Sequence, residues 1–362
     1  MLNLQELVAK LHIGQKIALL TNTALPDDSE LPEGMPSLGV DALWAYNAQN
    51  GTEAVHPRAA CLANSFHAAL FAKVAGELAD RAQRAGAAMV LLPSPKAASS
   101  IYSDALSEDP LLSGMLSGAT LDAVTAKKMT ASLPAPMPTA EDEAVLDTTP
   151  SERVLRERMF SPFLRASKGK CEAIELPWQS ASDAYAAIGN KMLRESSSSQ
   201  AVQVCHAQTD SETVLAILAG KLLLSGSAAG VRVALENEQR IRRSMEVGES
   251  GAEELERARA EGMAISEEQI DSALLQRLQF LTAHVSEQLE AATTCEEDVP
   301  LYLQTARESV VLLKNQQNIL PLRRGARVAI IGDIVFEGEE HGFCRFPEKM
   351  SESIGGVGYH AF

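Results

Sequence analysis

Residues Ala306–Leu322 read ARESVVLLKNQQNILPL, an apolar helical pattern that gives way to a polar break and a proline. Leu301, Ala306, Val310 and Leu313 keep the spacing of apolar residues along one helix face. Asn315-Gln316-Gln317-Asn318 is a polar break, and Pro321 stops a helix because it lacks the backbone N–H. Arg327–Asp333, RVAIIGD, then reads as a short buried strand ending in Gly-Asp, the opening of an α/β unit. The expectation is a helix, a turn and the first strand of a second domain, with only a short tail after Asp333.

Upstream, short apolar runs alternate with helical patterns. Strands are expected at Ala42–Asn47, Ala87–Pro93, Ala123–Lys128, Cys171–Pro177, Val202–Ala207 and Val231–Glu236. Helices are expected over Phe66–Ala85, where Phe66, Leu70, Val74 and Leu78 share a stripe, and over Asp183–Glu195 and Ser211–Leu224. Ser266-Glu267-Glu268-Gln269 is a capping box opening a helix with Ile270, Leu274, Leu278, Leu281 and Val285 inward. Leu133–Pro150, rich in Pro, Ala and Thr, reads as a long excursion, Ser196–Ser199 as an exposed loop and Gly248–Gly262 as a charged, solvated helix. The alternation argues for a mainly parallel α/β sheet or barrel, but six strands fall short of eight.

Composition narrows the function classes. The chain has 362 residues, 46% of them hydrophobic and 22% charged, which suits a folded soluble protein. A net charge of −16 argues against nucleic acid or an anionic membrane as partner. Aromatics, at 4%, are sparse for stacking on sugar rings. The amino terminus reads as an amphipathic helix with Leu4, Leu7, Val8 and Leu11 on one face, without the pattern of a signal peptide. No apolar run reaches the roughly 18 residues of a membrane span. Five cysteines, odd in number and without a CxxC pair, point to reduced thiols and a cytoplasmic location.

The opening stretch resembles the A-R-x-S-x-V-L-L-K-N…L-P-L segment of glycoside hydrolase family 3, where the chain passes from a barrel to an α/β sandwich. SEDPLLSG at Ser107–Gly114 is similar to that family's S-E-D-P-x-L-x-G. RVLRERMFSPF at Arg153–Phe163 resembles its T-L-R-E-x-Y-L-x-P-F, and ISEEQIDSALLQRL at Ile265–Leu278 its I-S-E-x-x-I-D-x-A-V-x-R-x-L. The resemblance implies a (β/α)8-type, TIM-barrel-like domain over residues 1–300, incomplete in its legible strands. It places a linker helix and the vestigial start of an α/β sandwich over 301–362.

It also implies retaining hydrolysis of a β-glycoside, with a nucleophilic carboxylate and an acid roughly 5 Å apart. Aligned on the family's S-D-W, the nucleophile position falls on His206 within Cys205-His206-Ala207. A neutral imidazole supplies no negative charge to an oxocarbenium-like transition state; a base is the role open to it. The sugar-binding Asp of D-G-P-x-G falls on Asn47, a neutral amide. The Arg and Glu of G-R-x-x-E fall on Ile101 and Asp104, and K-H-F falls on Lys127-Lys128-Met129. These substitutions leave Asn47, Asp104, Lys127 and Lys128 as candidate sugar ligands. Glu108 and Asp109 fit a helix start with Pro110 better than a catalytic pair.

No metal-ligand cluster, phosphate-cradling loop or Ser-His-Asp pattern offers another chemistry, and no cofactor is expected. Three readings stay open at this point. The chain is a pseudoenzyme that binds, scaffolds or regulates; or an active, divergent β-glycosidase; or half of a split enzyme. The partners implied are a β-linked sugar and a second copy of the chain or a related glycosidase chain.

Overall fold

The computed structural model describes residues 3–25, 39–42, 56–95, 106–136, 151–167, 171–176, 191, 201–246, 251–284 and 299–327. The chain divides into two compact units, Met1–Val311 and Leu312–Phe362.

The first unit opens with helices α1 (Leu4–Lys10) and α2 (Ile13–Thr21), which precede strand β1 (Gly39–Ala42). Helices α3 (Ala59–Ala63) and α4 (Ala68–Arg84) lead to β2 (Ala87–Leu91), and α5 (Pro110–Ala126) leads to β3 (Thr130–Pro134). A short π-helical segment, Leu155–Phe160, runs into α6 (Ser161–Ser167) before β4 (Ala173–Leu176). Then come β5 (Val202–His206), α7 (Asp210–Leu218), β6 (Leu222–Ser225), α8 (Ala228–Glu246), α9 (Ala252–Ala260), α10 (Glu267–His284) and α11 (Val299–Glu308).

The six strands form one parallel sheet in sequence order, β1 to β6. Strict sequential order with helical crossovers is the arrangement of an incomplete α/β barrel. Both faces of the sheet are covered, so neighbouring residues of one strand serve different cores. Val90 and Ile174 pack with Phe71, Val74 and Leu78 of α4 and with Phe163. Met89 and Ala173, one position earlier, belong to a second core with Val204, Ile217, Val231 and Leu274.

Two of the sequence motifs meet in the first core. Asp109 caps α5, its carboxylate accepting from the N–H of Leu111 (2.7 Å) and Leu112 (3.3 Å), with Pro110 in the first turn. Gly114 ends that motif because a Cβ there would lie 3.0 Å from the backbone of Pro162, in the motif of α6. The third motif, α10, begins with the expected capping box: Gln269 Oε1 accepts from the Ser266 N–H (2.9 Å), and Ser266 Oγ from the Gln269 N–H (3.2 Å). Ile270, Leu274, Leu278 and Leu281 are buried along it.

Helix α10 also clasps the start of the chain. Lys16 of α2 pairs with Asp271 at 2.7 Å, and Arg277 donates to the carbonyls of Leu20 (3.1 Å) and Leu223 (2.7 Å). The Asn22 side chain donates to the Leu224 carbonyl, and the Gly226 N–H donates to Thr21 O. Among the described residues, β6 is the last strand of the sheet. Side chains and backbone from α2 and α10 meet its polar groups, which blunts an edge that would otherwise invite another strand.

Several sequence expectations need correction. Ala123–Lys128 is not a strand: α5 runs through it, Lys127 is its C-cap and Lys128 turns at φ 57. Val231–Glu236 is part of α8, where Val231, Ala234, Leu235, Glu238 and Ile241 are buried at helical spacing. The helix expected over Ser211–Leu224 ends at Leu218; Gly220 (φ 68) breaks it, and β6 follows. Phe66 lies outside α4, 72% exposed. β1 ends at Ala42, where the expected strand began, and the rest of that expectation lies outside the described residues.

The helix of the opening stretch is α11, and it stops at Glu308. Its buried positions are Tyr302 and Thr305 rather than the expected stripe, and Val310 is 77% exposed. Tyr302 and Thr305 join His56, Glu77 and Arg81 in a buried network. His56 Nδ1 meets Thr305 Oγ1 at 3.2 Å, its Nε2 meets Glu77 Oε2 at 3.1 Å, and Arg81 pairs with Glu77. Burial pushes the Glu77 carboxyl up, but the His56 hydrogen bond and the Arg81 charge outweigh it and hold it below the usual range. In the second unit, Asn315 brackets a turn, donating to the Leu320 carbonyl and accepting from its N–H. Residues 328–333 of the expected strand, the expected helix Asp183–Glu195 apart from Lys191, Ser196–Ser199 and most of Leu133–Pro150 lie outside the described residues.

Candidate functional site

In a parallel α/β sheet, side chains at the carboxyl-terminal ends of the strands converge where loops can hold a ligand. Here that edge carries Glu175 near the end of β4, His206 closing β5 and Ser225 closing β6. His206 and Ser225 are register partners just after a shift in the β5–β6 pairing. His206 Nδ1 lies 2.9 Å from Ser225 Oγ, and its Nε2 lies 3.9 Å from Glu175 Oε1. The imidazole is 49% exposed and the Glu175 side chain 24%.

Partial burial lowers the His206 pKa below its ordinary value near 6.5, because desolvation disfavours the imidazolium. The ring is therefore neutral at neutral pH. It then has one N–H and one lone pair, so it can donate to or accept from a hydroxyl at either nitrogen. Cys205, directly before it, points into the core; burial pushes its thiol up to about 11, which leaves it unreactive.

The other expected ligands do not gather here. Lys127 caps α5 before β3 begins, so it stands at the amino-terminal edge of the sheet, opposite His206. Its ammonium pairs with Asp80 at 2.7 Å. Lys128 follows in the same turn. Asn47, Ile101 and Asp104 lie outside the described residues. Glu108 is exposed, and Asp109 is engaged as a helix cap.

Sequence reading missed Glu175. It is the single acid in an otherwise apolar strand, AIEL, and that interruption at a strand end was the available signal. Among the described residues, no group of three or more His, Cys, Asp and Glu side chains could hold a metal ion.

No protein-family model matches the chain. A stretch of 48 residues, 13% of this chain, is 44% identical to 6% of a β-glucosidase A from Butyrivibrio fibrisolvens. Three-dimensional similarity is much broader. A crystal structure of a β-glucosidase from Kluyveromyces marxianus in complex with glucose matches 90% of this chain and 41% of its own, at TM-score 0.56 and 19% identity. A family 3 β-glucosidase from Bifidobacterium adolescentis matches 87% of this chain and 46% of its own, at TM-score 0.55 and 19% identity. A β-glucosidase from Streptomyces venezuelae in complex with D-glucose matches 89% and 43%, at TM-score 0.56 and 18% identity. The chain thus spans less than half the length of these three structures. It has the fold of these β-glucosidases, one of them a family 3 enzyme, and over a short stretch a sequence similar to another β-glucosidase, so that it is similar to glycoside hydrolase family 3.

Proposed function

We propose that the chain is a catalytically impaired family 3-like protein that holds a β-linked sugar at the carboxyl-terminal edge of its sheet without hydrolysing it. The observation that carries this is His206, a neutral imidazole bonded to Ser225 where the family resemblance calls for a nucleophilic carboxylate. A neutral ring and a hydroxyl can donate to and accept from sugar hydroxyls. They cannot balance the positive charge of an oxocarbenium-like transition state. The glucose in two of the similar structures supports a sugar as the ligand class. Such a protein acts by binding, as a scaffold or regulator, rather than by turnover.

The test uses the full chain with chromogenic aryl β-glucoside, β-xyloside and β-N-acetylglucosaminide. The expected result is no release of chromophore, together with a rise in melting temperature in glucose that His206→Ala removes. The proximity of Glu175 to His206 favours a second reading, in which Glu175 is a displaced nucleophile and His206 its proton-transfer partner. Chromophore release that disappears in Glu175→Gln would establish that reading and overturn the first.

A further inference from the structure

The amino-terminal edge of β5 and β6 borders a cavity of about 430 Å³, between these strands and helices α2, α7 and α10. Arg277 lines it and is only 5% exposed. One nitrogen of its guanidinium, Nη1, donates to two backbone carbonyls, Leu20 and Leu223. A guanidinium has five N–H donors, and full burial of a cation is costly unless opposite charge or hydrogen bonds compensate. Burial alone draws its pKa down to about 10.

The rest of the wall sharpens the picture. Its polar side chains are Lys221, Gln203 and Gln276, and none of its described lining residues is acidic. In a chain of net charge −16, such a wall is unusual in sign. Ile217, Leu222 and Phe280 supply an apolar surface beside the guanidinium.

We propose that this cavity is a binding site for a small organic oxyanion, a carboxylate or phosphate ester with an apolar body. The oxyanion lies against Arg277, and the body lies against Ile217 and Phe280. An anion there supplies the opposite charge that the two carbonyls only partly replace, through charge-assisted hydrogen bonds. The site stands at the edge of the sheet opposite His206 and does not depend on the sugar-binding proposal.

Benzoate, neutral benzyl alcohol and inorganic phosphate serve as probes, with the full chain followed by thermal melting and calorimetry. Benzoate at about 10 mM is expected to raise the melting temperature and to bind at least tenfold more tightly than benzyl alcohol. Arg277→Met, which removes the charge and keeps the volume, is expected to abolish that preference. Ala273→Leu narrows the cavity from the same wall while leaving the guanidinium charge in place, and is expected to weaken benzoate at least tenfold. The proposal is overturned if benzoate and benzyl alcohol bind alike, or if phosphate alone protects. Benzoate binding that survives in folded Ala273→Leu would also overturn it, and that variant decides the matter should Arg277→Met fail to fold.

Discussion

Glu238 and Arg277 are both buried charges on the outer helices, and their surroundings differ. Glu238, 1% exposed on α8, is met by Arg259 at 2.5 and 3.1 Å and by Arg242 at 2.9 Å. Arg277, 5% exposed on α10, is met by two neutral carbonyls and opens on a cavity. A carboxylate matched by two cations has no remaining demand and acts as a bolt between α8 and α9. A cation matched only by dipoles keeps a demand that an anion can meet. Burial alone does not separate structure from function; the sign and completeness of the partners do.

The largest expected effect tests the bolt. Glu238→Ala leaves two arginines facing each other without their carboxylate and should destabilise the first unit by about 3 kcal/mol, read from the urea midpoint. Arg277→Met should cost less, about 1 kcal/mol, because the lost hydrogen bonds are offset by relief from burying a charge. The contrast breaks if Arg277→Met proves the more damaging of the two, for then the guanidinium is chiefly a structural tie. Lys127→Ala should change stability by less than about 1 kcal/mol, since its ion pair with Asp80 is largely solvated. It should also leave any glucose-induced shift untouched, given its place at the opposite edge from His206.

The smallest effect concerns His206. Its proton binds less readily in the folded state than in the unfolded chain, where the pKa is about 6.5. Its contribution to stability is therefore present above about 6.5 and lost as pH falls through the lowered folded value. An NMR titration of the ring should show a midpoint below 6.5; a midpoint above it would mean that the Glu175 charge outweighs burial.

Much of the fold was legible, and each failure had a physical source. The capping box of α10 and the α5 start announced themselves because caps satisfy backbone N–H groups with a fixed residue spacing. Leu222–Ser225 was hidden because its leucines continue the apolar pattern of α7; Gly220 was the punctuation to weigh more heavily. Val231–Glu236 misled because Val-x-Val-x-Leu satisfies period two locally, yet Val233 is 63% exposed and the longer window keeps helical spacing. That same kind of error put Lys127 at a strand end.

Of the candidate site, His206 was reached only by aligning the strand on the family's S-D-W, whereas Glu175 and Arg277 were not singled out. Their meaning comes from what stands beside them in space. The motif residues with a visible role are packing devices: Gly114 against Pro162, and the capping box of α10. They report descent because they build the fold, and they say little about the chemistry it carries.

The clasp between α2 and α10 has a consequence for synthesis. Strand follows neighbouring strand through the sheet, so most of the unit can assemble as it leaves the ribosome. Lys16 must nevertheless wait for Asp271, and Leu20 for Arg277. Helices α1 and α2 are made before the sheet and are seated only once α10 is in place, with Leu7, Val8, Leu11 and Ile17 uncovered until then. That interval exposes the nascent chain to chaperones and proteases, and it ends only when α10 has cleared the exit tunnel.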